Sequence, residues 1–351
     1  MDYTILAINP GSTNTKIGLF NNDAMLFKKT INHKNLDEYP SIMHQKEMRK
    51  QTIIGVLTSQ GYTVEQLSAV VGRGGILPPI KTGGYKVNKT MTDLLVNGTL
   101  APHASNLGAI LANEIAEQAG NVPAYIYDAV SASEFPPIAQ VTGLPEVTRT
   151  SFCHVLNSRA VAHRYAKSRG KSYQNLNFIV AHLGGGITVS VHQRGKIVDS
   201  LSDDNGPFSP ERTGGIPLLH FIDICFSIGD KDAVKKKVRG GGGLKAHMGT
   251  SNVLEIENRM NAGDEKARFM LEAQAYQISK GIGLLSPVLK GTCDVILITG
   301  GVARCQYILD LVIDSVSFIA PVEVIPGEFE LEALAEGTLR ILCGEEIAHE
   351  M

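Results

Sequence analysis

Two stretches half a chain apart follow the same plan, and this repetition restricts the fold more than any other feature of the 351 residues. Thr4–Asn9 is apolar and β-rich, Pro10-Gly11-Ser12-Thr13-Asn14 is a polar glycine turn, and Thr15–Phe20 is β-rich again. That pattern predicts a hairpin. Ala24–Ile31 predicts a third strand after the turn residues Asn21-Asn22-Asp23. The second copy runs Asn177–Leu183, Gly184-Gly185-Gly186, Ile187–His192, Arg194-Gly195 and Lys196–Leu201. Identity between the copies is slight, so the repetition is one of architecture.

Between and after the hairpins the pattern becomes α/β. Helical spacing covers Ile42–Gly61, Gly108–Gly120, Ser158–Arg169, Ala267–Leu285, Val302–Ser315 and Leu331–Cys343. Apolar strand runs end at Gly72, or cover Pro123–Tyr127, Asp294–Thr299 and Pro321–Ile325. Strands alternating with helices of 10–15 residues imply parallel sheet covered on both faces. The chain has room for two domains, and the boundary is expected near Thr148–Phe152. Lys235-Lys236-Lys237 with Arg239 and Gly240–Gly243 reads as an exposed, solvated loop.

The formal charge is −2, from 33 Lys+Arg against 35 Asp+Glu, which supplies no global field for nucleic acid or an anionic membrane. Cys153, Cys225, Cys293, Cys305 and Cys343 are odd in number and form no C-x-x-C, as expected of reduced thiols. No apolar run reaches the ~18 residues of a membrane span. Met1–Ile5 lacks a basic leader region, so a soluble, cytoplasmic protein is expected.

Glycine is in excess, 36 of 351 residues, and clustered. Neither G-x-x-x-x-G-K-[ST] nor G-x-G-x-x-G fits any cluster, nor is there an H-E-x-x-H zinc motif. Three glycine turns directly follow strands: Gly11-Ser12-Thr13-Asn14, Gly184-Gly185-Gly186 and Gly300-Gly301. Such turns can aim consecutive backbone N–H groups at an anion. They suggest a nucleotide whose phosphates lie between two domains, each offering a turn.

Ile5–Lys16, with its N-P-G-S-T-N core, resembles the opening segment of the acetate and butyrate kinases, members of the actin-like ATPase superfamily. Ala181-His182-Leu183-Gly184-Gly185-Gly186 is similar to their H-L-G-[NG]-G segment, and Ile298-Thr299-Gly300-Gly301 to their adenosine-contacting turn. Val71–Gly75, Ala101–Asn106 and Arg212–Gly215 also match, in order, from residue 3 to about residue 342. The resemblance implies an α/β fold of two actin-like (ribonuclease H-like) domains, with duplicated hairpin and βαβ units and an interdomain nucleotide cleft. The first would span residues 1–150, with the C-terminal helix of about 331–351 packing back on it. The second, 151–330, would bind most of the adenosine.

The implied reaction is reversible phosphoryl transfer between ATP and a short-chain carboxylate, giving ADP and an acyl phosphate, with Mg2+. A carboxylate is already ionised at neutral pH, so catalysis reduces to positioning and charge neutralisation. By the resemblance, Arg73 and Arg212 are the active-site arginines, with Arg73 holding the carboxylate, and His154 contacts the phosphoryl group. Asn9 lies near that group, and His103 and Pro102 lie near the acid. Ser12, Asn14, Lys16, His182, Gly184, Gly185, Gly186, Gly300 and Gly301 serve the nucleotide. Asp128 and one glutamate of the Glu328–Glu332 cluster, with Glu330 preferred, are the expected magnesium residues.

Where acetate kinases carry a valine two residues after the first arginine, this chain has Gly75. That difference predicts room for a longer acyl tail at about 0.8 kcal/mol per buried methylene. Together with the short chain and the A-P-H-A-S-N segment it makes butyrate the expected acid. Isobutyrate or isovalerate, and acetate or propionate, are the alternatives. A nucleotide-gated binding or assembly ATPase is the competing class, since fold alone does not set function. A homo-oligomer, dimer or higher, is the expectation by family analogy.

Overall fold

A computed structural model of the chain describes residues 2–97 and 103–351. The chain forms two compact units, Met1–Ala132 with Phe329–Met351, and Ser133–Glu328.

In the first unit six strands form one sheet: β1 (Thr4–Pro10), β2 (Asn14–Asn21), β3 (Ala24–Asn32), β4 (Ala69–Arg73), β5 (Gly84–Lys86) and β6 (Ala124–Tyr127). Their order is β3-β2-β1-β4-β6-β5. The first three form an antiparallel meander, β4 and β6 run parallel to β1, and β5 returns antiparallel. Position follows composition. Strand β1 is buried from Ile5 to Pro10 and lies inside the sheet, whereas β3 carries Lys28 and Lys29 on the exposed edge. Helix Leu107–Gln118 covers β4 and β6, and helix Glu330–Leu342 covers β1. The core gathers Leu6, Ile8, Ile17, Ile53, Leu57, Val70 and Ile126, each contributing about 1.5–3 kcal/mol on burial. Beyond the last helix, His349 pairs beside β5 through backbone hydrogen bonds with Gly84 and Lys86 of 2.8 and 3.0 Å.

The second unit holds β7 (Asn177–Leu183), β8 (Ile187–Gln193), β9 (Lys196–Leu201), β10 (Val295–Gly300) and β11 (Val322–Pro326), in the order β11-β10-β7-β8-β9. Strands β7, β8 and β9 are an antiparallel meander, and β10 and β11 continue the sheet in parallel. Order and direction match β3-β2-β1-β4-β6 strand for strand, so the duplication inferred from the two hairpins extends to the βαβ strands. Helix Glu265–Leu285 packs on β7 and β8.

Four features differ from the sequence expectations. The division between units falls at Ala132/Ser133 rather than near residue 150. The Arg149 guanidinium explains this: it donates to Asp199 Oδ1 (2.7 Å) and to the Ser200 carbonyl (3.0 Å), tying the preceding segment to β9. The helix expected over Val302–Ser315 is interrupted at Cys305, whose extended ψ of 103° separates a 3-10 turn, Val302–Arg304, from helix Gln306–Val316. The expected solvated loop at Lys235–Gly243 is instead structured. Lys231–Val238 is a helix whose cap, Asp230, accepts from the Ala233 N–H at 2.7 Å. Gly243, buried at φ +66°, lies so close to Ser209 that a Cβ would stand 1.8 Å from its carbonyl oxygen. Helices Lys89–Asn97, Leu218–Ile228 and Val253–Asn261 also stand where no helix was expected. No helix among the described residues is long and apolar enough to cross a membrane.

Candidate active site

Each unit carries part of the predicted residue set. In the first, the turn after β1, the end of β4, the segment before helix Leu107–Gln118 and the start of helix Glu330–Leu342 surround a cavity of about 450 Å³. Its walls include Asn9, Ser12, Asn14, Lys16, Arg73, His103 and Glu330. A strand that ends at a ligand-sized cavity is the usual place for chemistry in an α/β unit.

Glu330 is the hub. Its Oε1 receives Arg73 Nη1 at 2.8 Å, its Oε2 receives Asn9 Nδ2 at 2.5 Å, and Lys16 Nζ lies 3.9 Å from Oε2. Of the three glutamates Glu328, Glu330 and Glu332, it is the one that lines this cavity. Arg73 retains an unused donor: its Nε is buried and has no acceptor among the described residues. An unsatisfied buried guanidinium N–H is costly unless a ligand completes it. His103 Nδ1 accepts the Ser105 N–H at 3.2 Å, which places the ring proton of the neutral form on Nε2. Burial, and then the neighbouring Arg73 charge, hold the His103 pKa below its ordinary value. The ring is therefore neutral at physiological pH.

Two predicted residues lie differently. Gly75 offers no vacancy, because a Cβ there would meet Asn106 Oδ1 at 2.5 Å and Asn106 Cα at 2.8 Å. The space expected for an acyl tail is taken by Asn106, whose Oδ1 accepts the Ile76 N–H at 2.8 Å. The apolar walls of the cavity are Pro10, Ile42 and Ala104 instead. Asp128 is 3% exposed with φ +45°, and its Oδ1 accepts the Gly83 N–H at 2.8 Å. Pro102 lies outside the described residues.

Among the described residues no three His, Cys, Asp or Glu side chains assemble as a metal cage. One or two carboxylates at an anion site nevertheless suit magnesium, which keeps several waters and arrives with substrate phosphates. Glu330 at the cavity wall fits that mode, whereas Asp128, the second predicted carboxylate, is buried and does not line the cavity.

In the second unit the glycine turn between β7 and β8 and the turn after β10 meet at one cavity of about 400 Å³. Gly184, Gly185 and Gly301 line it, together with Ser251, Asn252, Glu257, Arg304 and Cys305, while Gly186 and Gly300 do not line it. The Gly185 carbonyl is held by the Ser209 hydroxyl (2.6 Å) and the Glu211 N–H (3.2 Å). The rings of His154 and His182 stack 3.8 Å apart. Thr188 Oγ1 lies 2.9 Å from His154 Nδ1, and Asn157 Nδ2 donates to His182 Nδ1 at 3.0 Å. Arg212 donates from Nε to Asp203 Oδ2 at 3.2 Å, and Asp203 Oδ1 receives Arg239 Nη2 at 2.7 Å. Cys305 Sγ donates to Glu257 Oε1 at 3.2 Å, and burial, reinforced by that carboxylate, pushes its thiol up to about 12.

Sequence reading missed Arg49, Asp203 and Glu257. Arg49 does leave a trace: it stands four and eight residues before the core positions Ile53 and Leu57, on the face that should be apolar. Asp203 and Glu257 acquire meaning only through partners distant in sequence.

Residues 147–323 match the model of the Acetokinase family. The chain is 46% identical to Butyrate kinase 2 of Clostridium acetobutylicum, over 99% of both sequences. Among solved structures, acetate kinase of Porphyromonas gingivalis superposes with TM-score 0.79 at 19% identity, covering 97% of this chain and all of that one. A propionate kinase of Francisella tularensis gives 0.74 at 18% identity, covering 95% and 98%. At that identity the structural likeness speaks for the fold, the two-sheet α/β architecture these kinases share. With a family model spanning half the chain and a full-length relative at 46% identity, this protein belongs to the acetokinase family.

Proposed function

We propose that the protein is an ATP- and magnesium-dependent butyrate kinase, interconverting butyrate plus ATP and butyryl phosphate plus ADP. The observation that carries this reading is the buried Nε of Arg73 at the end of β4, without an acceptor among the described residues, in a cavity shared with Asn9, Ser12 and Glu330. A planar guanidinium with a donor to spare suits a carboxylate or phosphoryl oxygen. The full-length relative named Butyrate kinase 2 supports butyrate as the acid. So do Ile42, Ala104 and Pro10, which give the acid's methylenes an apolar wall.

In this reading Arg73 orients the carboxylate and the neutral His103 donates from Nε2 to an acid or phosphoryl oxygen. A carboxylate oxygen attacks the terminal phosphorus of ATP, the bond to the bridging oxygen breaks, and ADP leaves; no general base takes part. Arg212 and His154 neutralise charge on the transferring group, the role that electrostatic preorganisation plays in phosphoryl transfer. Asn9, Ser12, Asn14 and Lys16 serve the phosphoryl group from the first turn. His182 and Gly184–Gly186 serve the nucleotide phosphates, and Gly300-Gly301 the adenosine. Glu330 and Asp128 are the residues that would hold magnesium, which would supply charge neutralisation for the phosphates.

The test is trapping of acyl phosphate by hydroxylamine with acetate, propionate, butyrate, isobutyrate and isovalerate. Butyrate is expected to give the highest kcat/KM, and R73A to lose at least 100-fold. Highest kcat/KM for acetate would refute the choice of acid. Nucleotide turnover in R73A that persists and needs no carboxylate would refute the kinase reading itself.

A further inference from the structure

Arg49 is the largest wholly buried side chain of the first unit, and no carboxylate pairs with it among the described residues. A buried guanidinium remains charged and must be satisfied by acceptors. Its acceptors are three backbone carbonyls of one turn and two side chains. Nη1 donates to the carbonyls of Gly11 (2.9 Å) and Asn14 (3.0 Å) and to Thr15 Oγ1 (3.0 Å), and Nη2 donates to the Ser12 carbonyl (3.2 Å). Gln45 Oε1 closes the fork, receiving Nε at 3.2 Å and Nη2 at 2.9 Å. From helix Lys46–Ser59 its guanidinium thus makes six contacts of 2.9–3.2 Å, four to Gly11, Ser12, Asn14 and Thr15 and two to Gln45.

The consequence is geometric. In a planar trans peptide the C=O and N–H point in opposite directions. Drawing the Gly11 and Ser12 carbonyls toward Arg49 therefore turns the Ser12 and Thr13 N–H groups away from it. Neither N–H has a backbone acceptor among the described residues, and Ser12 lines the cavity that also holds Arg73 and Glu330. Consecutive N–H groups presented in this way form an anion-binding concavity. A full positive charge behind them adds to the same field.

We propose that Arg49 is the positioning residue of the phosphate turn: it holds Gly11–Asn14 in the anion-receptive conformation and touches no substrate itself. The proposal deepens the kinase reading and rests on it, since it needs a phosphoryl group at this turn. Lysine would keep the charge, but a single ammonium cannot span the Gly11, Ser12 and Asn14 carbonyls and Gln45 together. A role in charge or in filling space alone would be rescued by lysine; a role in orienting peptide planes would not.

The experiment compares wild type, R49K and the core control I53A, an apolar side chain on the same helix buried in the hydrophobic core of the unit. Steady-state acyl-phosphate formation from butyrate is measured below each variant's melting temperature, with kcat and KM separated. The expected result is a kcat at least tenfold lower in R49K with KM for butyrate within twofold, while I53A melts earlier and keeps kcat within twofold. Wild-type kcat in R49K, or an equal loss of kcat in I53A, overturns the assignment. Should R49K not fold, Q45L frees the same fork: a threefold or greater loss of kcat at constant KM supports the proposal, and unchanged kcat overturns it. A wild-type enzyme that phosphorylates none of the acids overturns the kinase reading instead, a different outcome from an active enzyme indifferent to R49K.

Discussion

Glu330 accepts the Arg73 guanidinium at 2.8 Å although 257 positions separate them in the chain. The contact joins the end of β4 to the first turn of the C-terminal helix, both partners largely shielded from water, with side-chain exposures of 23% and 16%. Asn9 and Lys16 approach the other oxygen of the same carboxylate. Removing the acid therefore leaves a partly buried cation without its partner. E330A is expected to lower unfolding free energy by about 1–3 kcal/mol, discounted for the residual exposure, as read from urea denaturation. R73K keeps the charge but loses the fork, and is expected to cost 10²-fold or more in kcat/KM with a much smaller stability change.

Gly75 tests packing against substrate selection. A Cβ at this position meets Asn106 at 2.5 Å, so G75A is expected to destabilise by about 1–3 kcal/mol through overpacking. The ratio of kcat/KM for butyrate over acetate should stay within twofold of wild type. I42A, by contrast, removes part of the apolar cavity wall and is expected to lower that ratio several-fold. The acid panel under matched conditions reads both.

His192 sets a pH limit on the second unit. It is wholly buried between Tyr173 OH (2.8 Å from Nδ1) and Ser190 Oγ (2.9 Å from Nε2). Burial, and then the nearby Arg159, lower its pKa from 6.5 to about 3. Between those values the unfolded chain holds the extra proton, so stability is fully present above pH 6.5 and declines as pH falls toward 3. One proton contributes a slope of up to about 1.4 kcal/mol per pH unit. H192Q, which cannot take up that proton, should show a shallower fall in melting temperature from pH 7 to pH 5 than wild type.

The thiols should separate by reactivity. Cys343 is exposed, whereas Cys305 is buried against Glu257 with its pKa pushed up to about 12. At pH 8 the thiolate fraction of Cys305 is of order 10⁻⁴, so a thiol reagent should modify Cys343 first and leave Cys305 unmodified. Peptide mapping by mass spectrometry gives the order. Early labelling of Cys305 would show that the wall of the second-unit cavity is more open than its hydrogen bond to Glu257 indicates.

Much of this protein is written locally. The hairpins Thr4–Phe20 and Asn177–His192 announce themselves by strand composition around glycine turns, and the topology repeats them in the same order and direction. Helix Glu265–Leu285 and strand Val295–Gly300 are equally legible, because apolar periodicity depends on neighbours in sequence. Segments whose structure depends on distant partners are not. The Lys235–Gly243 stretch has the composition of a solvated loop, yet Arg239 pairs with Asp203 and Gly243 packs under Ser209.

The sequence by itself determined the α/β plan and the glycine turns, and it singles out Asn9, Arg73, His103, Asp128, His154 and Arg212 as candidates, because each resides in a short motif. Only the tertiary structure decided that Glu330, rather than Glu328 or Glu332, meets Arg73, that Asn106 fills the space beside Gly75, and that Arg49 stands behind the Gly11–Asn14 turn. The reason is physical. Local pattern encodes how a segment can fold, whereas the partner of a buried charge and the occupant of a missing side chain's space are chosen by chain that arrives from elsewhere.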